Sequence, residues 1–474
     1  PDEGPLSHFG RNPCRHGWRG WLQTEAAIPS AAVFNRDLRT TILETTKTVL
    51  RDPEFAITES DRRARLDSQL DPNDWRVVKD DAIGLRYTPL TTKDGKRMGT
   101  RERVLDVQKK HPDRLKVQLD ALATRVLFDE QNRAIGVEYQ SGQALYGAHA
   151  QPSARPGTLK QVFAAREVIL SGGAFNTPQL LMLSGIGAKA DLEPHGIAVR
   201  VELPGVGKNL QDRYEVAVVH RMAFDSWQSL EGSHFWRDDP QYKLWAEKRD
   251  GVYKTNGALL AVVARSGPEA FSPDLFISAV LSRFEGYFPG YSTLIADNRN
   301  CLSWLVLKAH THNTAGSVTL RSADPRVPPV INFRYFEESN DGAGADLKSV
   351  VAGIKMARRI AAGLRQEGLI AREEVPGGDV KDEDLAEFVR THAWGHHASC
   401  TCAIGRAEDG GVVSSDLRVH GVSGLRVVDA SVFPRVPGFF IVSAVYMIGE
   451  KAADVIGAAA RTAPPMGPVR PFAR

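Results

Sequence analysis

The feature that most restricts how this chain can fold is the run Val168–Ile169–Leu170–Ser171–Gly172–Gly173, followed by an apolar stretch reaching Leu183. Three adjacent aliphatic residues with no charge predict a short buried strand. Paired glycines then allow a sharp turn and let another backbone, or a flat ligand, approach closely. Asn176 or Thr177 can cap, Pro178 suits a first helical position, and Gly185 suits a stop. Strand, glycine turn and helix in that order predict an α/β unit whose helix start offers free N–H groups and a positive dipole end. Taken by itself, a tight structural turn without a ligand is an equal reading.

The rest of the pattern gives this unit its neighbours. Alternation predicts strands over residues 115–119, 123–128 and 134–139, the last two forming a hairpin across residues 130–133. Between residues 213 and 385, strands are expected at 275–281, 302–308, 316–320 and 329–333, and a helix at 348–364. Short strands at 412–413, 417–419 and 425–428 follow, the last ending at Asp429, and a helix spans 445–456. Residues 31–50 have helical spacing, residues 10–21 read as a loop, and a Pro-rich tail follows Ala463. A chain of 474 residues is long enough for two domains. Its 60 basic against 57 acidic residues leave a net charge of +3, too small an excess for a nucleic-acid footprint. The longest apolar run, residues 439–448, is half the length of a membrane span and reads as a buried strand or helix. Four cysteines are too few for a disulfide framework, and reduced thiols of a cytoplasmic protein are expected.

Longer motifs are more specific. The run from Gly173 to Gly187, GAFNTPQLLMLSGIG, resembles the second signature of the glucose–methanol–choline (GMC) flavoprotein oxidoreductases at nearly every defined position. Residues 203–212, LPGVGKNLQD, are similar to the next motif of that family. Residues 312–333, with the turn Ser322–Ala323–Asp324–Pro325, resemble its strand pair. Residues 411–456, with Val427–Val428–Asp429–Ala430–Ser431, resemble its closing segment. The resemblance covers about Arg101 to Ile456 and implies FAD as cofactor. It implies a mixed architecture, α/β plus α+β: an incomplete FAD-binding α/β domain, lacking its N-terminal βαβ unit, interleaved with a substrate domain built on an antiparallel sheet. Residues 106–212 and 386–462 would belong to the FAD-binding domain and 213–385 to the substrate domain. Residues 1–105 would form a loop and helical segment on the substrate side, and 463–474 a tail.

Site residues carry over by position. The resemblance places the Ala123 backbone at the adenine, Gly172 and Gly173 at the turn, and Asp429 and Ala430 along the ribityl–flavin region. It gives His397 the role of general base, for which an imidazole is suited by its near-neutral pKa. His392, His396, His397, Cys400 and Cys402 also suggest zinc, but their spacing fits no familiar zinc pattern, and no metal is expected. Cys400 stands where the family usually has glycine. Val442 stands where the family has a second catalytic Asn or His, so His397 would act alone, or with Ser443, His396 or His392 as helper.

A strand–G-x-G-x-x-G–helix for the FAD diphosphate is missing: neither Gly205–Val206–Gly207 nor Gly185–Ile186–Gly187 qualifies. The expectation is a truncated member of the family that oxidises a small-molecule alcohol to an aldehyde or ketone. Oxygen or an external acceptor would take the electrons, and no nucleic acid or membrane span is involved. The alternatives are a flavin-containing cyanohydrin lyase of the same fold, and an inactive fragment unable to retain FAD.

Overall fold

A computed structural model of the chain describes residues 21–22, 25, 35–67, 72 and 75–462. Most of the loop expected at residues 10–21, and the Pro-rich tail, lie outside the described residues. The chain divides into two compact units, each assembled from three segments. Pro1–Lys116, Tyr214–Ala309 and Ala345–Trp394 make the first; Val117–Arg213, His310–Gly344 and Gly395–Arg474 make the second. Residues 310–344, grouped by sequence with the substrate domain, therefore pack with the unit that carries the glycine turn.

The first unit is organised by a six-stranded antiparallel sheet. Its order is Gly84–Arg86, Ala258–Ala264, Leu275–Val280, Cys301–Lys308, Tyr214–Met222 and Ile370–Val375. The central strands are rich in Val, Leu, Ile and Ala and buried nearly throughout, the signature of a sheet covered on both faces. Helix Ala345–Gln366 packs on this sheet, burying Val350, Ile354, Ala357, Ile360 and Leu364 at helical spacing. Helix Arg36–Arg51 packs on that helix through Leu38, Thr41, Thr45 and Val49. Asn35 caps it, its side chain accepting from the Leu38 N–H at 3.1 Å.

The second unit combines an antiparallel meander with a parallel strand pair. Strands Ala121–Phe128, Ala134–Ser141 and Thr158–Phe163 form the meander. Val168–Leu170 runs parallel to Leu425–Val427, so the expected glycine turn and the strand ending at Asp429 lie side by side. Helix Gly173–Leu183, the antiparallel pair Ser317–Thr319 and Val330–Asn332, and helix Val442–Thr462 complete it. Leu170, Leu181, Met182, Val206, Val412, Val427 and Val432 share one core. Among the described residues, the other edge of Val168–Leu170 has no strand partner, and Ile169 is 44% exposed.

Several expectations about local structure are corrected. Residues 115–119 form no strand, because alternation there finds no partner to pair with. Residues 412–413 and 417–419 form no strand, only isolated bridges at Val413, Arg418 and Val419. The run 439–448 is not a buried element: Phe440, Val442 and Met447 are exposed, and the helix begins at Val442. Most instructive is the helix after the glycine turn, which starts at Gly173 and takes Pro178 into its interior. An interior proline leaves the carbonyl four residues back without its donor. Here that carbonyl, of Ala174, accepts the Thr401 hydroxyl at 2.7 Å. No helix among the described residues is long and apolar enough to cross a membrane.

Candidate active site

Both parts of the candidate site lie within the second unit. The first is the glycine turn. Gly172 N–H donates to Thr177 Oγ1 (2.9 Å), and Gly173 N–H donates to Asp429 Oδ2 (2.9 Å). The Thr177 hydroxyl donates to the same oxygen at 2.6 Å. Asp429 Oδ1 accepts from the Ser431 N–H and hydroxyl at 2.8 and 2.5 Å. Asp429 is thus a brace between the end of one parallel strand and the start of the helix beside the other. Charge-assisted bonds of this kind are among the stronger ones. Ala430 continues the brace, its carbonyl accepting from Cys400 N–H at 3.1 Å.

Beside the turn opens a cleft of about 450 Å³ lined by Ala123, Ile169, Ser171, Gly172, Asn176 and Leu180, among others. Gly173 has φ of +80°, and a Cβ placed on it would meet nothing within 4 Å. The Gly172 and Gly173 N–H groups, expected to be free, are taken by Thr177 and Asp429, so what the cleft offers a flat aromatic group is its apolar walls and a backbone turn without side chains. Ala123 and Gly172 line the same cleft. These residues fit the adenine end of an FAD molecule. Among the described residues, no strand–G-x-G-x-x-G–helix is present for its diphosphate.

The second part is His397. It is buried, 5% exposed, and its N–H donates to Asp212 Oδ1 at 2.7 Å. The same oxygen accepts from Arg213 N–H at 2.6 Å. Two residues earlier, Gly395 approaches this pair so closely that a Cβ would sit 2.6 Å from both the Arg213 carbonyl oxygen and Asp212 Cγ. Only glycine fits there. The His397 ring lies against the exposed His396 (centroids 4.1 Å apart) and meets Phe440 edge-on at 5.5 Å. Burial, and then the nearby Arg213 charge, push the imidazole down to about 4. At neutral pH His397 is therefore an uncharged base.

Cys400 keeps the left-handed backbone usual for glycine, with φ of +77°. Burial pushes its thiol up to about 12 and raises Cys402 as well, so both stay protonated. Val442 and Ser443 are exposed at the start of their helix, whereas Phe440 meets the His397 ring. The sequence marks Thr177 only as a capping residue and gives no role to Asp212, Arg213 or Gly395. The signal available was the dense polar run Asn209–Leu210–Gln211–Asp212–Arg213, whose partners lie more than 180 residues away.

A strand–glycine turn–helix beside a nucleotide-sized cleft, with a buried neutral base in the same unit, is the equipment of an oxidoreductase using a bound nucleotide cofactor. Comparison with known proteins gives the family. Residues 74–215 and 312–449 match the N- and C-terminal models of the GMC oxidoreductases. The chain belongs to the GMC oxidoreductase family, whose cofactor is FAD. It is 34% identical over 420 residues to a chloroplastic fatty acid photodecarboxylase of Chlamydomonas reinhardtii, covering 84% of this chain and 65% of that protein. It is also 34% identical to an oxygen-dependent choline dehydrogenase of Pseudomonas putida, covering 77% of this chain and 60% of the other. A solved formate oxidase from Aspergillus oryzae matches with a TM-score of 0.74 and 25% identity, over 94% of this chain and 74% of its own. The chain thus spans less than two thirds of the length of these curated relatives.

Proposed function

We propose that this chain carries the base and the adenine-side contacts of an FAD-dependent enzyme that oxidises an alcohol to an aldehyde or ketone. The observation that carries this reading is His397: a buried imidazole, held by its backbone, that stays neutral at physiological pH. Oxidising an alcohol requires removal of the hydroxyl proton and of a hydride from the same carbon. When bound, FAD supplies the hydride acceptor. His397 accepts the proton. Its low pKa keeps the unprotonated form available but makes it a weak base, so proton transfer must accompany hydride loss rather than precede it. Phe440 lies edge-on against one side of the ring. Asp212 fixes the backbone from which the imidazole projects, and such positioning contributes several kcal/mol to bringing reactants into register.

In this reading the Ala123–Gly172 cleft receives the adenine, and Asp429 sets the turn rather than touching the cofactor through its carboxylate. Diphosphate contacts come from residues outside those described. The unit built on the antiparallel sheet is the substrate side. Oxygen or an external acceptor takes the electrons onward, and an apolar face at Phe439, Phe440 and Val442 suits a hydrophobic or bulky alcohol. The test is anaerobic addition of alcohols to FAD-loaded protein. Loss of the flavin's long-wavelength absorbance is expected, slowed roughly a hundredfold or more in His397→Ala. Bleaching at the wild-type rate in that variant would remove the base assignment, and bound flavin that no alcohol bleaches would favour the lyase.

A further inference from the structure

The segment 434–439 contains Pro434 and Pro437 and cannot join a ladder of its own, since proline lacks the N–H and restricts its neighbour. Its backbone groups are instead taken by alternate side chains of the run at 209–213. Asn209 Nδ2 and Gln211 Nε2 donate to the Pro434 carbonyl at 3.2 and 3.3 Å. Gln211 Oε1 accepts from Val436 N–H at 3.2 Å. Arg213 takes four further carbonyls. Its Nε donates to the Phe439 carbonyl at 3.2 Å, and one terminal nitrogen reaches the Val436, Pro437 and Gly438 carbonyls, the first two at 3.3 and 2.7 Å. The four carbonyls can converge because Gly438 turns the strap with φ of +57°. The guanidinium is wholly buried, and a planar fork with several fixed donors is the side-chain shape that can hold diverging carbonyls at once. What the strap presents next is Phe440, edge-on to His397, while Phe439 lies 6.4 Å from His310 between ring centroids.

We propose that Arg213 is a positioning residue for the oxidation: by clamping the carbonyls of Val436–Phe439 it sets Phe440 against the His397 ring and so fixes the base. The inference rests on His397 being the base. Arg213 touches no reacting atom. It acts through the strap on one side and through the Asp212 oxygen, shared by its own N–H and that of His397, on the other. A lysine at this position keeps the charge, but its three donors sit on one nitrogen, so it cannot hold both the Phe439 carbonyl that Nε takes and the three that the terminal nitrogen takes.

The test uses the full chain with histidine side chains isotopically labelled, the His397 ring signal being assigned by its loss in His397→Gln. The Phe440 ring should displace that signal from the position of an exposed histidine. Arg213→Lys should return it toward that position, as should Phe440→Leu. In FAD-loaded protein, Arg213→Lys should slow alcohol-dependent bleaching roughly a hundredfold with the apparent alcohol Kd unchanged, the effect of a displacement of about 1 Å. A His397 signal that does not move in Arg213→Lys overturns the proposal, and so does one that does not move in Phe440→Leu. Should Arg213→Lys fail to fold, the wild-type protein still decides: a clamped Arg213 Nε–H exchanges slowly with solvent, and a rapidly exchanging one refutes the clamp. The ring and exchange signals require neither flavin nor turnover. If no alcohol bleaches wild-type flavin, the proposed function fails while the clamp is still judged on those signals.

Discussion

Acid should weaken this protein through His397, and replacing that one residue should remove the effect. In the folded chain the imidazole titrates near 4, against an ordinary value of 6.5, because burial and the Arg213 charge disfavour its protonated form. The unfolded chain therefore binds a proton in the interval between those values while the folded chain does not. Stability linked to His397 is fully present above about pH 6.5 and is lost as pH falls toward 4. Between about pH 7 and about pH 5 the loss amounts to about 2 kcal/mol, from 1.36 kcal/mol per unit over the part of the interval crossed. Urea unfolding of wild type and His397→Gln at those two pH values gives the comparison, since glutamine cannot titrate there. The stability difference between the two proteins should change by that amount, in favour of the variant at the lower pH. Equal pH dependence in both would refute the account of His397 as a buried neutral base.

The same low pKa gives a kinetic expectation: the rate of alcohol-dependent flavin bleaching should show no limb near pH 6.5 and should fall only as pH drops toward about 4. Asp429→Asn sets an amide NH₂ against the Gly173 N–H and Thr177 hydroxyl or gives up half the Ser431 contacts, and should lower stability by about 2–3 kcal/mol in thermal or urea melts. A variant as stable as wild type would show that the brace is dispensable. Gly395→Ala drives a methyl into the Arg213 carbonyl and Asp212, and should cost about 2 kcal/mol and slow the reaction with it. Cys301, Cys400 and Cys402 are buried with raised thiol pKa values, so peptide mapping after iodoacetamide treatment of native protein should find all three unmodified. Rapid alkylation of Cys400 would contradict its burial.

Much of this was legible where the signal is local. The hairpin of Ala121–Phe128 and Ala134–Ser141 and helix Ala345–Gln366 follow from periodicity, because each buries a regular face, and the run Val168–Leu170 does form a strand, although Ile169 in it is exposed rather than buried. The turn at Gly172–Gly173 and His397 were legible through motifs. What escaped depends on residues distant in sequence. Pro178 looks like a helix start until Thr401, 227 residues from Ala174, is seen to occupy the carbonyl it leaves open. Residues 115–119 alternate like a strand, yet a strand also needs a partner, and alternation cannot report one. Arg213 reads as one more surface charge because the carbonyls it holds lie more than 220 residues away and belong to backbone, which leaves no compositional trace. The position of Val442 was legible only by register with a family, and its exposure at a helix start follows from where the strap ends.

The central claim is that His397 serves a flavin-dependent oxidation, and anaerobic bleaching of FAD-loaded protein by an alcohol tests it most directly. Wild type is predicted to lose its long-wavelength flavin absorbance, with His397→Ala slower by roughly a hundredfold or more while still binding FAD. Equal bleaching rates in the two proteins, at equal flavin content, would contradict it.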